Sequence, residues 1–427
     1  MLQTLKMTGV GPASELGPIT FSPRMNFLTG DNGLGKSFFL DVAWWALTRT
    51  WARGVPASPQ PDAKTAKITF SYTKATPPAY EETVVYKHSA QSWPLKQGRP
   101  PIPGVVIYAG VDGSFSVWDP ARNYWTEQNP EVAKVRAFNF SPEQVWLGLP
   151  ADEDAKQPKA WHCKGLISDW VRWQGANMPE FSDLVKVLDA LSPSGVEKLT
   201  PGQPMRVGDD VTDQPSLRMP YAQDVPLVHA SAGMRRIAAL AYLLVWTWRE
   251  HERACARQRQ KTAKEVIFLI DEVECHLHPQ WQRRVVPALL SVMQALTGRR
   301  VPVQLIVATH SPLVLASVEP TFDAEQDTVF SLRLNGGQAV IEPEPWAKQG
   351  DVTNWLVSPA FGLEQARSVE AEAAIEAAEA LMRGATDLPA NLNTHKKIDQ
   401  ELRRVLPGHD TFWPRWIVST QRRELGS

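Results

Sequence analysis

The chain has 427 residues, and its 45 Lys+Arg against 46 Asp+Glu leave a formal net charge of -1, so no global basic field points to nucleic acid or an anionic membrane. At 43% hydrophobic and 21% charged residues it is not a disordered chain, and 26 Gly without a Gly-X-Y period exclude a collagen-like one. The length allows roughly two to four domains, or one large α/β unit with an insertion.

Residues 2–7 (LQTLKM) and 19–29 (ITFSPRMNFLT) read as strands, the second running into a glycine-rich loop and then the apolar helix FFLDVAWWALT at 38–48. A Pro-rich stretch follows, and then KITFSYT, ETVVYKH, GVVIYAG and SFSVWD read as strands between Pro/Gly turns, which suggests an antiparallel layer. After AFNF at 137–140 the pattern turns helical, with apolar spacing in FSDLVKVLDALS and in a long helix after Ser231. The basic connector RQRQKTAKE leads into VIFLIDE (266–272), and VQLIVATHS (303–311) follows; both are apolar runs of the kind buried on two faces of a parallel sheet. Residues 365–383, rich in Ala and Glu, form a helix with an acidic face.

Cys163, Cys255 and Cys275 form no CxxC pair, so neither a disulfide framework nor a zinc site is implied and a reducing cytoplasm fits best. No apolar stretch is long enough to span a bilayer, and no export signal opens the chain, so a cytoplasmic protein without a membrane partner is expected.

Four segments carry chemistry. Gly30-Asp31-Asn32-Gly33-Leu34-Gly35-Lys36-Ser37 satisfies GxxxxGK[ST] between a strand and a helix. Its glycines let backbone N–H groups turn inward, the helix start adds its dipole, Lys36 reaches phosphate oxygens, and Ser37 is placed to ligate magnesium. The strand ending in Asp271-Glu272 delivers two carboxylates to the edge where parallel sheets bind ligands. Asp271 suits magnesium, and Glu272 suits a general base for water. His310, in Ala308-Thr309-His310-Ser311-Pro312, arrives at the same edge and is placed to sense a γ-phosphate, the plainer alternative being a capping or core histidine. Ser231, in Ala230-Ser231-Ala232-Gly233-Met234-Arg235-Arg236, is an N-cap for the long helix, and such an entry is also an anion site.

The ordered set GDNGLGKS, ASAGMRR, VIFLIDEVECHLHP and ATHSP resembles ABC-type ATPase heads of the RecF, SMC and OLD kind, and especially the compact bacterial AAA ATPases of anti-phage defence loci such as Septu. The resemblance covers residues 1 to about 320, with 50–200 matched only in broad character. It implies an α/β P-loop head with a mainly parallel core sheet, an antiparallel β layer and a helical signature lobe. By position, lobe I would span 1–140 and 265–345, the helical lobe 141–264, and a C-terminal helical region 346–427. It further implies ATP and Mg2+ as ligands and a homodimer in which each P-loop faces the partner's signature serine. Gly30, Asn32, Gly33, Gly35, Lys36 and Ser37 then look like Walker A, Asp271 and Glu272 like Walker B, Ser231 and Gly233 like the signature pair, and His310 like the switch histidine.

Ala232 and Met234 depart from the usual signature, and His278 stands where transporters place an aspartate. Gln144, in Ser141-Pro142-Glu143-Gln144, is the candidate for the glutamine that joins magnesium to the far lobe; a solvent-facing helix glutamine is the alternative. Glu274, Cys275, His276 and His278 are not expected to form a metal cluster, since H-x-H after a strand rarely aims both rings at one ion.

Together these imply an active ATPase whose ATP-dependent dimer acts as a switch. The chain shows no Toprim-type DxD after an apolar strand, Asp152-Glu153-Asp154 lying in a loop, and no HNH arrangement. A separately encoded effector such as a nuclease is therefore the expected partner. The alternative is a RecF-like DNA-binding repair ATPase, for which Arg253, Arg257, Arg259, Lys261, Lys264, Arg299 and Arg300 are the local support. Eight of the 17 tryptophans, Trp51, Trp93, Trp118, Trp125, Trp146, Trp161, Trp170 and Trp173, fall between residues 50 and 200, a natural docking surface if they are not core.

Overall fold

The computed structural model describes residues 1–73, 79–94, 103–122, 137–152, 159–193, 198–297 and 301–425. Trp125, Glu153, Asp154, Arg299 and Arg300 lie outside these. The described chain divides into two compact units, Met1–Val352 with Pro359–Phe361, and Thr353–Ser358 with Gly362–Ser427.

The first unit opens with β1 (Leu2–Val10), β2 (Ala13–Thr20), β3 (Met25–Gly30) and α1 (Lys36–Thr48). It continues through β4 (Lys67–Tyr72), β5 (Tyr80–Val85), β6 (Val105–Ala109), β7 (Phe115–Trp118) and β8 (Phe138–Phe140). Then come α2 (Pro142–Leu147), the paired β9 (Leu149–Pro150) and β10 (Trp161–Cys163), α3 (Gly165–Gly175) and α4 (Pro179–Leu191). A small sheet of β11 (Thr200–Pro201), β12 (Ser216–Arg218) and β13 (Asp224–Pro226) precedes α5 (Ala232–Arg257). The unit closes with β14 (Val266–Asp271), α6 (Pro279–Thr297), β15 (Val303–Ala308), α7 (Pro312–Val318), β16 (Asp327–Asn335) and β17 (Gln338–Glu344).

Two sheets organise it. The larger runs β17-β16-β3-β15-β14-β6-β7-β8. Its centre, β16 to β6, is parallel, and antiparallel strands close both ends. Every residue of β14 and β15 is buried, as their apolar runs demand. The smaller sheet, β2-β1-β4-β5, is antiparallel throughout.

Helix α1 lies in one continuous core with both sheets. Trp44, Trp45 and Phe39 share it with Leu5, Ile68 and Phe70 of the small sheet and with Leu28, Leu269 and Ile306 of the large one. That explains a helix apolar around most of its circumference. Two buried amides inside the sheets are satisfied: Gln304 bonds both the N–H and the carbonyl of Leu2, and Asn26 bonds Ser22 and the Leu305 carbonyl.

Two sequence expectations are corrected. The strand read at 19–29 is two strands: β2 ends at Thr20, the chain bends through Pro23, and β3 begins at Met25. GVVIYAG does not belong to the antiparallel layer, because β6 pairs parallel with β14 at the heart of the large sheet. Its wholly buried Val105–Tyr108 is the mark of a central strand, whereas β5 alternates exposed and half-buried residues as an edge does.

The second unit is helical, with α9 (Val369–Met382), α10 (His395–Val405) and α11 (Trp413–Leu425) after the short α8 (Val352–Leu356). Its own core joins Ala374, Ile375, Ile398, Leu402 and Trp416. Among the described residues no helix is long and apolar enough to cross a membrane.

Candidate nucleotide site

Register places the site. Ala308 at the end of β15 lies opposite both Leu28 of β3 and Asp271 of β14, so three strands deliver their following residues to one sheet edge. The loop after β3 turns through Gly30 (φ 125°), Gly33 (φ 82°) and Gly35 (φ 94°). At Gly30 a side chain would collide with the Leu332 carbonyl, and at Gly35 it would meet Pro12 at 2.8 Å. At Gly33 nothing stands within 4 Å, so the backbone there faces open space.

Gly35 caps α1 without a side-chain hydrogen bond, leaving first-turn N–H groups of this 13-residue helix for an anion. Lys36, only 6% exposed, donates to the carbonyls of Gly30 (2.7 Å) and Asp31 (2.8 Å). Burial lowers its pKa, against the opposing pull of Glu272, Asp271, Asp31 and Glu274. The ammonium is thus held by two loop carbonyls at the start of a helix, where a cation can meet an anion.

Asp271 is 2% exposed, and burial raises its pKa; the Ser37 hydroxyl, hydrogen-bonded to it, works the other way. A carboxylate taken out of water beside a hydroxyl suits a divalent cation, so Ser37 and Asp271 fit magnesium. Glu272 sits in the left-handed region at φ 48°, where non-glycine residues are strained, and its carboxylate lies 3.9 Å from Nε2 of His310. The pKa of His310 is lowered by burial and then by Lys36, which favours the neutral ring.

The sequence brings up Glu274 only in a metal cluster that is not expected to form, and it does not single out Asp41 or Arg53. Glu274 accepts hydrogen bonds from the His310 backbone N–H (2.5 Å) and from Oγ1 of Thr309 (2.8 Å), so its oxygens serve the histidine turn. Asp41, one helical turn beyond Ser37 on α1, is ion-paired with Arg53, and both interact electrostatically with Asp271. The carboxylate spacing around Lys36 and Ser37 carried that signal, but the loop position of Arg53 hid it.

Ser231 caps α5, accepting from the Met234 N–H at 3.3 Å. At Gly233 a side chain would strike the His276 carbonyl at 2.7 Å, so the start of α5 rides on the turn that follows Asp271. Arg236 fixes this seat by donating to the carbonyls of Val111 (2.7 Å) and Gly110 (3.2 Å). Among the described residues no hydrogen bond joins Ser231 or Gly233 to the P-loop of the same chain. A cavity of about 250 Å³ lies between α5, the β6–β7 turn and the residues after β14, away from Lys36.

Gln144 occupies the third position of α2. Its side chain accepts from the Ser141 N–H (2.9 Å), while its own N–H donates to Oγ of Ser141 (3.2 Å), a capping box. Its geometry is that of the helix-residue alternative, and among the described residues it makes no hydrogen bond to Ser37 or Asp271. His276 and His278 are both exposed, and His278 accepts from the Gln280 N–H at 3.4 Å. Of the basic residues named from sequence, Arg253 is neutralised by Glu180 and Glu250. Arg257, Arg259, Lys261 and Lys264 are exposed and make no ion pair among the described residues. Most of the described tryptophans between 50 and 200 are core, Trp170 and Trp173 fully so, while Trp161 is exposed.

Residues 128–316, under half of the chain, match the family described as "AAA domain, putative AbiEii toxin, Type IV TA system". A stretch of 99 residues is 30% identical to the retron Ec83 probable ATPase of Escherichia coli, covering 23% of this chain and 15% of that protein. Another of 52 residues is 46% identical to the retron Vc95 probable ATPase of Vibrio cholerae serotype O1 biovar El Tor, covering 12% and 9%. The chain thus matches only a small part of these relatives' lengths. Among solved structures, the SMC head domain of Thermotoga maritima aligns over 81% of this chain and 99% of that one, at 14% identity and a TM-score of 0.40. A RecF structure in the RecFOR pathway aligns over 80% and 98%, at 12% identity and 0.37. In sequence the chain is thus similar to an AAA domain and to two retron probable ATPases, each over less than half of its length.

Proposed function

We propose that this chain binds and hydrolyses ATP, and that an ATP-dependent dimer of it acts as a switch on a separate effector, a nuclease being the expected kind, in antiviral defence. The observation that carries the reading is the convergence on one sheet edge of Lys36, the Ser37–Asp271 pair and the Glu272–His310 pair. Phosphoryl transfer to water needs positioning and charge neutralisation more than covalent chemistry, and this edge supplies both.

In this reading the backbone of Gly30 to Gly35 and the start of α1 cradle the phosphates. Lys36 exchanges its carbonyl partners for phosphate oxygens. Ser37 and Asp271 would hold magnesium, which would supply positive charge against the phosphates. Glu272 takes the proton of the attacking water, and His310, kept neutral, orients that water or the γ-phosphate. Ser231 and Gly233 serve the partner's nucleotide through the helix start that Ser231 caps. ATP then favours the closed dimer and hydrolysis resets it. The relatives' names, both retron probable ATPases, support the ATPase.

The test is mass measurement with and without ATP alongside turnover. An ATP-dependent dimer with Mg2+-dependent phosphate release supports the reading, and a monomer at every nucleotide state rejects the switch.

A second reading has one observation in its favour. Arg257, Arg259, Lys261 and Lys264 form an exposed basic connector, as a RecF-like DNA-binding ATPase would need. Salt-dependent duplex binding that disappears on charge reversal of these four residues would favour it over a protein effector.

A further inference from the structure

We propose that Glu274 is a positioning residue for ATP hydrolysis: its carboxylate grips the turn that carries His310 and thereby sets the histidine against Glu272. The inference rests on the proposed roles of Glu272 and His310.

Glu274 lies in the turn after β14 and makes no ion pair with Lys or Arg among the described residues. Both of its oxygens are committed to the neighbouring strand's turn: the His310 N–H donates to one at 2.5 Å and the Thr309 hydroxyl to the other at 2.8 Å. Thr309 is fully buried and is itself fixed, its N–H donating to the Leu28 carbonyl (3.0 Å) and its hydroxyl accepting from the Ser311 N–H (3.0 Å). The turn that holds Glu274 is equally constrained. Glu272 and His276 are both left-handed, and the N–H groups of Cys275 and Leu277 donate to the carbonyls of Glu272 and Glu274 at 2.9 Å each.

One rigid turn therefore carries the base directly and the histidine through a two-point clasp. A charged acceptor makes the stronger kind of hydrogen bond, and a clasp with two bonds fixes direction as well as distance. A neutral side chain of the same shape keeps one acceptor, and an alanine keeps none.

The experiment compares ATP turnover by the full chain and by its Glu274→Ala, Glu274→Gln, His310→Ala and Glu274→Ala/His310→Ala variants. Glu274→Ala is expected to lower kcat about 10²-fold, the scale of a misplaced catalytic group, with KM for ATP nearly unchanged. Glu274→Gln is expected to recover part of that loss. Once His310 is gone, removing Glu274 is expected to cost less than about 2-fold more, since both substitutions then remove one function. Additive losses in the double variant, or a wild-type kcat in Glu274→Ala, would overturn the proposal while leaving the base and sensor reading intact. Normal turnover by His310→Ala would overturn that reading and this proposal together. If Glu274→Ala does not fold, Glu274→Gln with and without His310→Ala carries the same comparison.

Discussion

The two sheets of the first unit share a core through α1 but differ in what their residues are for. The large sheet ends in strained or desolvated groups at one edge: Glu272 at φ 48°, Asp271 buried with a raised pKa, Lys36 buried with a lowered one. The core of the small sheet is built mainly of packed rings, and its desolvated groups, Tyr72 with a pKa raised by burial and the Arg49–Glu82 ion pair, lie among them. There Trp45 stacks on Trp51 at 5.5 Å and meets Phe70 edge-on at 6.3 Å and Trp93 at 5.7 Å. One sheet stores local strain where chemistry is wanted, and the other supplies the packing that holds the strain in place. Substitutions should therefore separate: at the edge they cost function and little stability, in the ring cluster the reverse.

The largest effect tests the edge. Glu272→Gln keeps size and the capacity for hydrogen bonding but loses the base, so kcat should fall about 10²–10⁴-fold with ATP binding retained. The variant should also accumulate as a nucleotide-bound dimer, measurable by mass in the presence of ATP. Normal turnover would remove Glu272 as the base. Trp45→Ala tests the other side. It deletes a ring that is 1% exposed and should lower unfolding free energy by about 3–5 kcal/mol in denaturant titration. Nucleotide affinity should survive at temperatures where the variant stays folded. Lys36→Ala comes next, with ATP binding weakened by about 10²–10³-fold, since truncating one partner of a buried charge pair costs 2–5 kcal/mol. A Trp45 variant that behaved like the Lys36 variant would show the two sheets to be less separable than their residues suggest.

What could be read from sequence follows the same division. Asp271, Glu272 and His310 were legible because fully buried parallel strands are long apolar runs and the chemistry follows directly after them. The P-loop was legible because its spacing is dictated by the geometry of a phosphate nest. The small sheet was harder. In β2, ASELGPIT, polar and exposed residues interrupt the pattern, so the apolar run starts only at Ile19 and merges with β3. Membership of β6 in the central sheet depends on a partner more than 150 residues away, which no local window contains. The box formed by Ser141 and Gln144 was readable as S-x-x-Q. The clasp of Glu274 was not, because it joins two turns that only the parallel register brings together.

The smallest predicted effect concerns the cost of keeping Asp271 ready. Burial raises its pKa in the folded chain, so the folded state holds the proton more tightly than the unfolded one. Ionisation of this group therefore disfavours folding. The penalty is absent below the unfolded pKa, near 3.9 for Asp. It grows as pH rises from there and is complete once pH has passed the raised folded value. Asp271→Asn has no such charge to desolvate, so without nucleotide or metal it should unfold at a higher temperature than the wild type at pH 7. The difference should shrink to nothing as pH falls toward about 4, while turnover is lost at every pH. The Ser37 hydroxyl and Arg53 favour the charged form and oppose this trend. A wild type more stable than Asp271→Asn at pH 7 would show that these two outweigh burial, and the edge of the large sheet would then be no more strained than the ring cluster beneath it.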